Sequence, residues 1–205
     1  MAHKKPDRRT ERTRHALMTA FVGEVLSRGY DEVSVEDIVK RANVGRSTFY
    51  MHYKSKDDLL RESISRPSSI LAALVGGDLA GEVVVPQLLH FHEQRTRNST
   101  FFRDPIRRIW IKRLAEMIEP RLLKLVRATR ARPALPLPLV AAQIAEIQIT
   151  FITHWLATKP GIAAAAIADS LLAMTRASLH ALLDLPANAA VLIPGEKLRV
   201  IYPGN

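Results

Sequence analysis

The stretch Val33 to Leu60, VSVEDIVKRANVGRSTFYMHYKSKDDLL, limits what this chain can fold into more than any other. Two short helix signals stand on either side of a turn, and the second helix is polar, carries an aromatic residue and runs into lysines. That order predicts a helix-turn-helix, a unit whose second helix enters the major groove of DNA.

The flanking residues complete the unit. From Arg8 to Arg28 the apolar positions Leu17, Phe21 and Val25, flanked by Ala20 and Val22, recur at helical spacing, and Gly29 supplies a stop. Ser34 precedes Val35 and Asp37 follows three positions on, close to a capping box that starts a helix over 35–42. Asn43 tolerates a left-handed backbone, so 42–45 predicts the turn, and 46–52 the next helix. Val35, Ile38, Val39, Val44 and Phe49 can meet Leu17 and Phe21 in a three-helix core. Arg46, Ser47, Thr48, Tyr50 and His52 then project outward. Arg46 can fork onto guanine, Ser47 and Thr48 can donate or accept, and the Thr48 methyl can touch thymine. Hydroxyls and Lys54 suit phosphate oxygens, which position a protein without reading sequence.

The linked positions Gly29-Tyr30, Ser34-Val35, Asp37-Ile38, 42–50, His52 to Lys56 and Asp58-Leu59 resemble the DNA-binding signature of TetR/AcrR-type transcriptional regulators. The match spans roughly a quarter of the chain and departs at Asn43, where the family's turn usually carries glycine. The resemblance implies that Ser34, Tyr50, His52, Tyr53 and Lys54 hold the DNA backbone while Arg46, Ser47 and Thr48 approach bases; Tyr53 reads equally as a core aromatic with its hydroxyl exposed. It also implies a homodimer in which the last two long helices pair across a two-fold axis. A dyad is what two reading heads need to grip half-sites of a palindrome about 34–36 Å apart.

At 205 residues, with 47% apolar residues and nine glycines, the chain is expected to be all-α, with a helix-turn-helix domain over 1–55 and a larger regulatory and dimerisation domain over 56–205. The absence of cysteine excludes disulfides and thiolate zinc sites and fits a reducing cytoplasm. The basic N-terminus has no apolar signal-peptide core behind it, and its lysines and arginines can form a phosphate-contacting arm. Net charge is +10, with 14 basic against 10 acidic residues over 1–66 and 12 against 4 over 91–132. Such charge favours polyanions through counterion release. The apolar stretch 135–157 contains Gln143, Glu146 and Gln148, which predicts a buried helix and not a membrane span.

Further helices are expected over 57–65, interrupted or ended by Pro67, then, after a low-charge stretch of helix tail and loop to 76–78, over 83–98. A helix over 106–118 is expected to be capped by Asp104, and Glu119-Pro120 to begin another running to 130. Pro133, Pro136 and Pro138 read as a linker before long helices over 139–158 and 162–183. In the last helix Ala165, Ala168, Leu172, Thr175, Leu179 and Leu182 form one apolar stripe and Ile167, Leu171, Met174 and Ala181 a second. Lys56 reads as a solvated or phosphate-facing charge, and the arginines of 103–130 as a solvated face. Phe91, Trp110, Leu114, Gln148, Phe151 and Trp155 are the candidate lining of an effector pocket.

No nucleotide loop or nucleophile elbow is present, and His90-x-His92 lacks the spacing of a zinc pair. No catalytic residue, metal or cofactor is therefore expected. The expected function is sequence-specific binding of a palindromic operator, as a repressor released by a small-molecule effector. A non-specific architectural DNA binder and an activator with the same head are the alternatives.

Overall fold

A computed structural model describes residues 8–77, 83–95, 99–158 and 161–185. The start of the basic arm at Lys4 and Lys5, the Lys159-Pro160 break and the tail from Pro186 lie outside the described residues. Within them the fold is entirely helical: α1 Arg8–Arg28, α2 Val35–Ala42, α3 Arg46–His52, α4 Lys56–Ser63, α5 Ser65–Ala72, α6 Val85–Glu93, a 3-10 turn Ser99–Phe102, α7 Ile106–Thr129, α8 Leu137–Ala157 and α9 Ala164–Leu182.

The first three helices form as their local chemistry dictates. Gly29 takes φ 87° and its amide donates to the Val25 carbonyl at 2.9 Å, which ends α1 in a left-handed turn. Ser34 caps α2 through a full capping box: the Asp37 amide donates to Ser34 Oγ at 3.2 Å, and Asp37 Oδ2 accepts from the Ser34 amide at 2.9 Å. Asn43 adopts φ 53°, ψ 47° at the turn. A side chain on Gly23 would come within 2.7 Å of the Arg41 guanidinium, so glycine lets Arg41 lie along α1 and pair with Glu24 at 3.0 Å. Leu17, Phe21, Val25, Ile38, Val39 and Phe49 are all buried, forming the core of the reading head.

Ile64 separates α4 from α5, and Pro67 sits in the first turn of α5 instead of ending a helix. That position tolerates proline because the first-turn amides have no intrahelical acceptor. The low-charge stretch after it is thus helix as far as Ala72.

Two sequence expectations fail at α7. Asp104 does not cap it: Pro105 stands at the cap position, and Asp104 pairs with Arg108 at 3.6 Å. Nor does Pro120 begin a new helix, for α7 runs through it over 24 residues. An interior proline costs about 3 kcal/mol. The buried stripe Ile106, Trp110, Leu114, Ile118, Leu122 and Leu125 runs unbroken past it, and each large apolar side chain contributes about 1.5–3 kcal/mol on burial. Packing therefore outweighs local propensity. Pro120 and Glu116 both face solvent, and the Glu116 carbonyl lacks the amide donor that another residue at 120 would supply.

Helix α8 is long and apolar enough to cross a membrane by length and composition alone. It packs along α7 and buries Val140, Ile144, Ala145, Ile149 and Ile152, which is how a bundle's core helix behaves. Pro138 lies in its first turn, so the proline-rich linker is shorter than expected. In α9 the two expected stripes merge: Ile167, Ala168, Leu171, Thr175 and Leu179 are buried, Leu172, Met174 and Leu182 are half-buried, and Ala165 and Ala181 are exposed. One face is therefore buried within the chain, and Ala166, Ala173, Ala177 and Ala181 form an open face of small residues.

Candidate nucleic-acid interface

Helix α3 divides sharply. Phe49 is fully buried, stacked edge-on to Tyr50 at 5.3 Å and tilted against Tyr53 at 5.9 Å. Arg46, Ser47 and Tyr50 are exposed, while Thr48 and His52 are half-buried. Arg46 rests over the Tyr50 ring at 5.8 Å and faces Glu36 of α2 at 3.7 Å, so its guanidinium lies on the surface between the two helices. Ser34, Tyr50 and Lys54 line one shallow depression beside α3. The Lys54 side chain is exposed, and its backbone amide donates to Asp58 Oδ2 at 2.8 Å. Tyr50 and Lys54 can donate to phosphate oxygens along one strand while Arg46 and Ser47 reach base edges.

Two sequence expectations change. Tyr53, expected at the DNA backbone, is only 4% exposed, and its hydroxyl is buried without a hydrogen-bond partner among the described residues. Its ring lies under the Arg14 guanidinium at 5.7 Å, where Arg14 of α1 pairs with Glu62 of α4 at 2.6 Å. Burial, with the Glu62 charge nearby, pushes the Tyr53 phenol up to about 12. Tyr53 is a core residue joining α1, α3 and α4. Lys56 is not a solvated charge either: Nζ donates to the carbonyls of Tyr30 and Val33, both at 2.8 Å.

The Ser34 hydroxyl is already engaged, donating to Asp37 Oδ2 at 2.6 Å. The bonds from Ser34, with Arg28 3.2 Å away, hold the Asp37 carboxyl down at about 2. Sequence reasoning passed over Met51, which is 80% exposed on the outer side of α3. Its signal was the helical period, since Met51 lies two residues beyond the anchor Phe49.

The expected effector pocket separates into different places. Phe91 and Trp110 line a cleft of about 490 Å³, together with Phe101, Phe102, Ile70, His90 and Arg66. Leu114, Gln148 and Trp155 are buried between helices, and Phe151 is half-buried outside the cleft. Gln148 Nε2 donates to Thr175 Oγ1 at 3.1 Å, tying α8 to α9. Trp155 Nε1 donates to the Ile162 carbonyl at 2.9 Å, and its ring stacks on His92 at 5.3 Å. Their shared helical face served packing. Within the cleft, Phe91, Phe102 and Trp110 form an aromatic cluster with centroids 5.0–5.8 Å apart. The Trp110 Nε1 donor is buried without a partner among the described residues.

The arginine run is not uniformly solvated. Arg107 joins α7 to Glu146 and Thr150 of α8, and Arg121 Nε donates to the Val75 carbonyl at 2.9 Å beyond the end of α5.

A capped α2, a left-handed turn and an α3 with an anchored and an open face, set on a larger helical domain, define a helix-turn-helix unit. Residues 24–63 match the family model of the tetR family of bacterial regulatory proteins. That match covers the reading head, about a fifth of the chain. Over 64 residues it is 41% identical to YxbF, an uncharacterized HTH-type transcriptional regulator of Bacillus subtilis, covering 31% of this chain and 17% of that protein. Over 50 residues it is 44% identical to a second such regulator of that organism, YwcC, covering 24% and 22% respectively. The likeness to these curated relatives thus spans about a fifth of their length.

Likeness to solved structures extends much further. A TetR transcriptional regulator from Streptococcus agalactiae superimposes with TM-score 0.55 at 25% identity, covering 82% of this chain and 96% of that one. NalD of Pseudomonas aeruginosa, the secondary repressor of the MexAB-OprM multidrug efflux pump, gives 0.56 at 20% identity over 83% and 97%. The repressor FadR of Thermus thermophilus, in complex with lauroyl-CoA, gives 0.51 at 23% identity over 86% and 98%. The last two likenesses concern the fold.

Proposed function

We propose that the protein is a dimeric, cytoplasmic repressor that binds a palindromic DNA operator through α3 and leaves it when a small molecule occupies the cleft around Trp110. The observation that carries this reading is the division of α3, with Phe49 buried and Arg46, Ser47 and Tyr50 open to solvent. An anchored helix with polar groups on its free face is what reading a major groove requires.

The cleft supports the effector. Its volume falls within the range usual for small-molecule sites, and its aromatic wall suits an apolar ligand. Helix α4 supports the coupling. Its end, Ser63 and the adjoining Ile64, lines the cleft, while Lys56 at its start grips the reading head. An effector shifts the equilibrium only by the difference in its affinity for the DNA-bound and free shapes, so a modest tilt of α4 suffices. The open small-residue face of α9 supports a close-packed dimer, because alanines let helices approach.

Selection of bound fragments from random DNA tests the reading. The regulator yields one palindrome well above background, while a non-specific binder yields steep salt dependence and no preferred sequence. Arg46→Ala then changes base preference at one operator position. Lys54→Ala weakens all sequences alike and lowers the salt slope by about 0.9 for each reading head, about 1.8 for the dimer. If both variants bind the selected operator like the parent, the reading head has been misassigned.

A further inference from the structure

We infer that Met51 is a specificity-determining residue that reads the C5-methyl group of a thymine. The inference rests on the DNA-reading role of α3 proposed above and adds a base contact of different chemistry. Met51 is 80% exposed, more than any other large hydrophobic side chain among the described residues; the next are Leu139 at 54% and Ile162 at 52%. At about 100° per residue, Ser47 and Met51, two residues on either side of Phe49, both lie about 200° round the helix from it. The buried anchor and these two side chains therefore point in nearly opposite directions. Whatever surface α3 meets, Ser47 and Met51 meet it centrally, with Arg46 and Tyr50 to one side.

Ser47 and Met51 are one helical turn apart, so their Cα atoms are separated by about 6 Å along the axis. Base pairs along DNA rise by about 3.4 Å. Met51 therefore reaches a base one or two steps from the one facing Ser47. In the major groove the only apolar group on a base edge is the thymine methyl. A thioether chain, flexible and polarizable, can settle against that methyl without fixed geometry. It gains nothing from the hydrogen-bonding edges of guanine, adenine or cytosine.

The test uses the full-length protein and the operator selected from random DNA, with each thymidine replaced in turn by 2′-deoxyuridine. The replacement removes one methyl and leaves base pairing intact. For the parent, one position in each half-site loses about fourfold in affinity, the worth of burying one methyl-sized group. In Met51→Ala and Met51→Gln that penalty falls below about twofold at the same position, while Ser47→Ala retains it. Identical deoxyuridine profiles for the parent and both Met51 variants overturn the inference and leave the reading head intact. A parent that selects no operator overturns both.

Discussion

The Lys56 ammonium donates to the Tyr30 carbonyl at 2.8 Å and lies 4.5 Å from the centre of the same residue's ring. Tyr30 in turn bonds Asp57 through its hydroxyl, and Lys56 also holds the Val33 carbonyl at 2.8 Å. The connection between α1 and α2 is thus fastened to the start of α4 by one cation. Lys56→Met keeps the stem and removes the donors, leaving two carbonyls without that partner. Hydrogen bonds to charged groups contribute about 1.5–3 kcal/mol. Chemical denaturation should show a loss in that range with base preference unchanged. A variant as stable as the parent but weaker on DNA would return Lys56 to the phosphate-facing role.

Tyr53→Phe separates a core aromatic from a phosphate contact. The hydroxyl has no partner among the described residues, so its removal relieves a buried polar atom. Stability should hold or rise by about 1 kcal/mol, and operator affinity should stay within about twofold. A larger loss of affinity would mean that the hydroxyl swings out to DNA.

Asn43 holds φ 53° at the turn, a conformation that costs other L-residues about 1–2 kcal/mol. Asn43→Gly should leave the melting temperature nearly unchanged, while Asn43→Ala should lower it. Equal melting points for the two variants would show that the turn does not depend on this geometry.

Asp37 carries a lowered folded pKa, so its contribution is fully present above the unfolded value near 4. It is lost as pH falls to about 2. Ser34→Ala removes the cap and the main cause of the shift, so the variant should be less stable at neutral pH, by about 1 kcal/mol as for N-caps in general. The gap between parent and variant should narrow between about pH 4 and pH 2 in denaturation curves, leaving the part due to the hydrogen bond from the Asp37 amide to Ser34 Oγ. A gap constant across that window would show that the Ser34 and Asp37 contacts are uncoupled.

The reading head was legible wherever its determinants are local. Ser34 and Asp37 sit three residues apart and satisfy each other's backbone amides, and Gly29 and Asn43 mark turns through backbone preference alone. Phe49 and its open neighbours followed from the helical period. Lys56 was misread, and Tyr53 could be read equally as core or as a DNA contact, because their partners, Tyr30, Arg14 and Glu62, lie elsewhere in the chain. Pro120 misled for a related reason. Its local bias against helix is real, but a buried stripe extending on both sides of it overrides that bias. Trp155 and Gln148 share a face on α8, and sequence could not tell that His92 and Thr175 fill it.

Two walls of the cleft, Val22 and Ser63, belong to α1 and α4 and not to the helices that follow. If the cleft holds the effector proposed for it, exchanging everything before Ile64 to graft a different operator specificity would replace part of that effector's surroundings. A chimera built at that seam should recognise new DNA yet respond to its inducer with altered sensitivity. Exchange confined to the outer residues of α3 should retarget the protein and leave induction as it was.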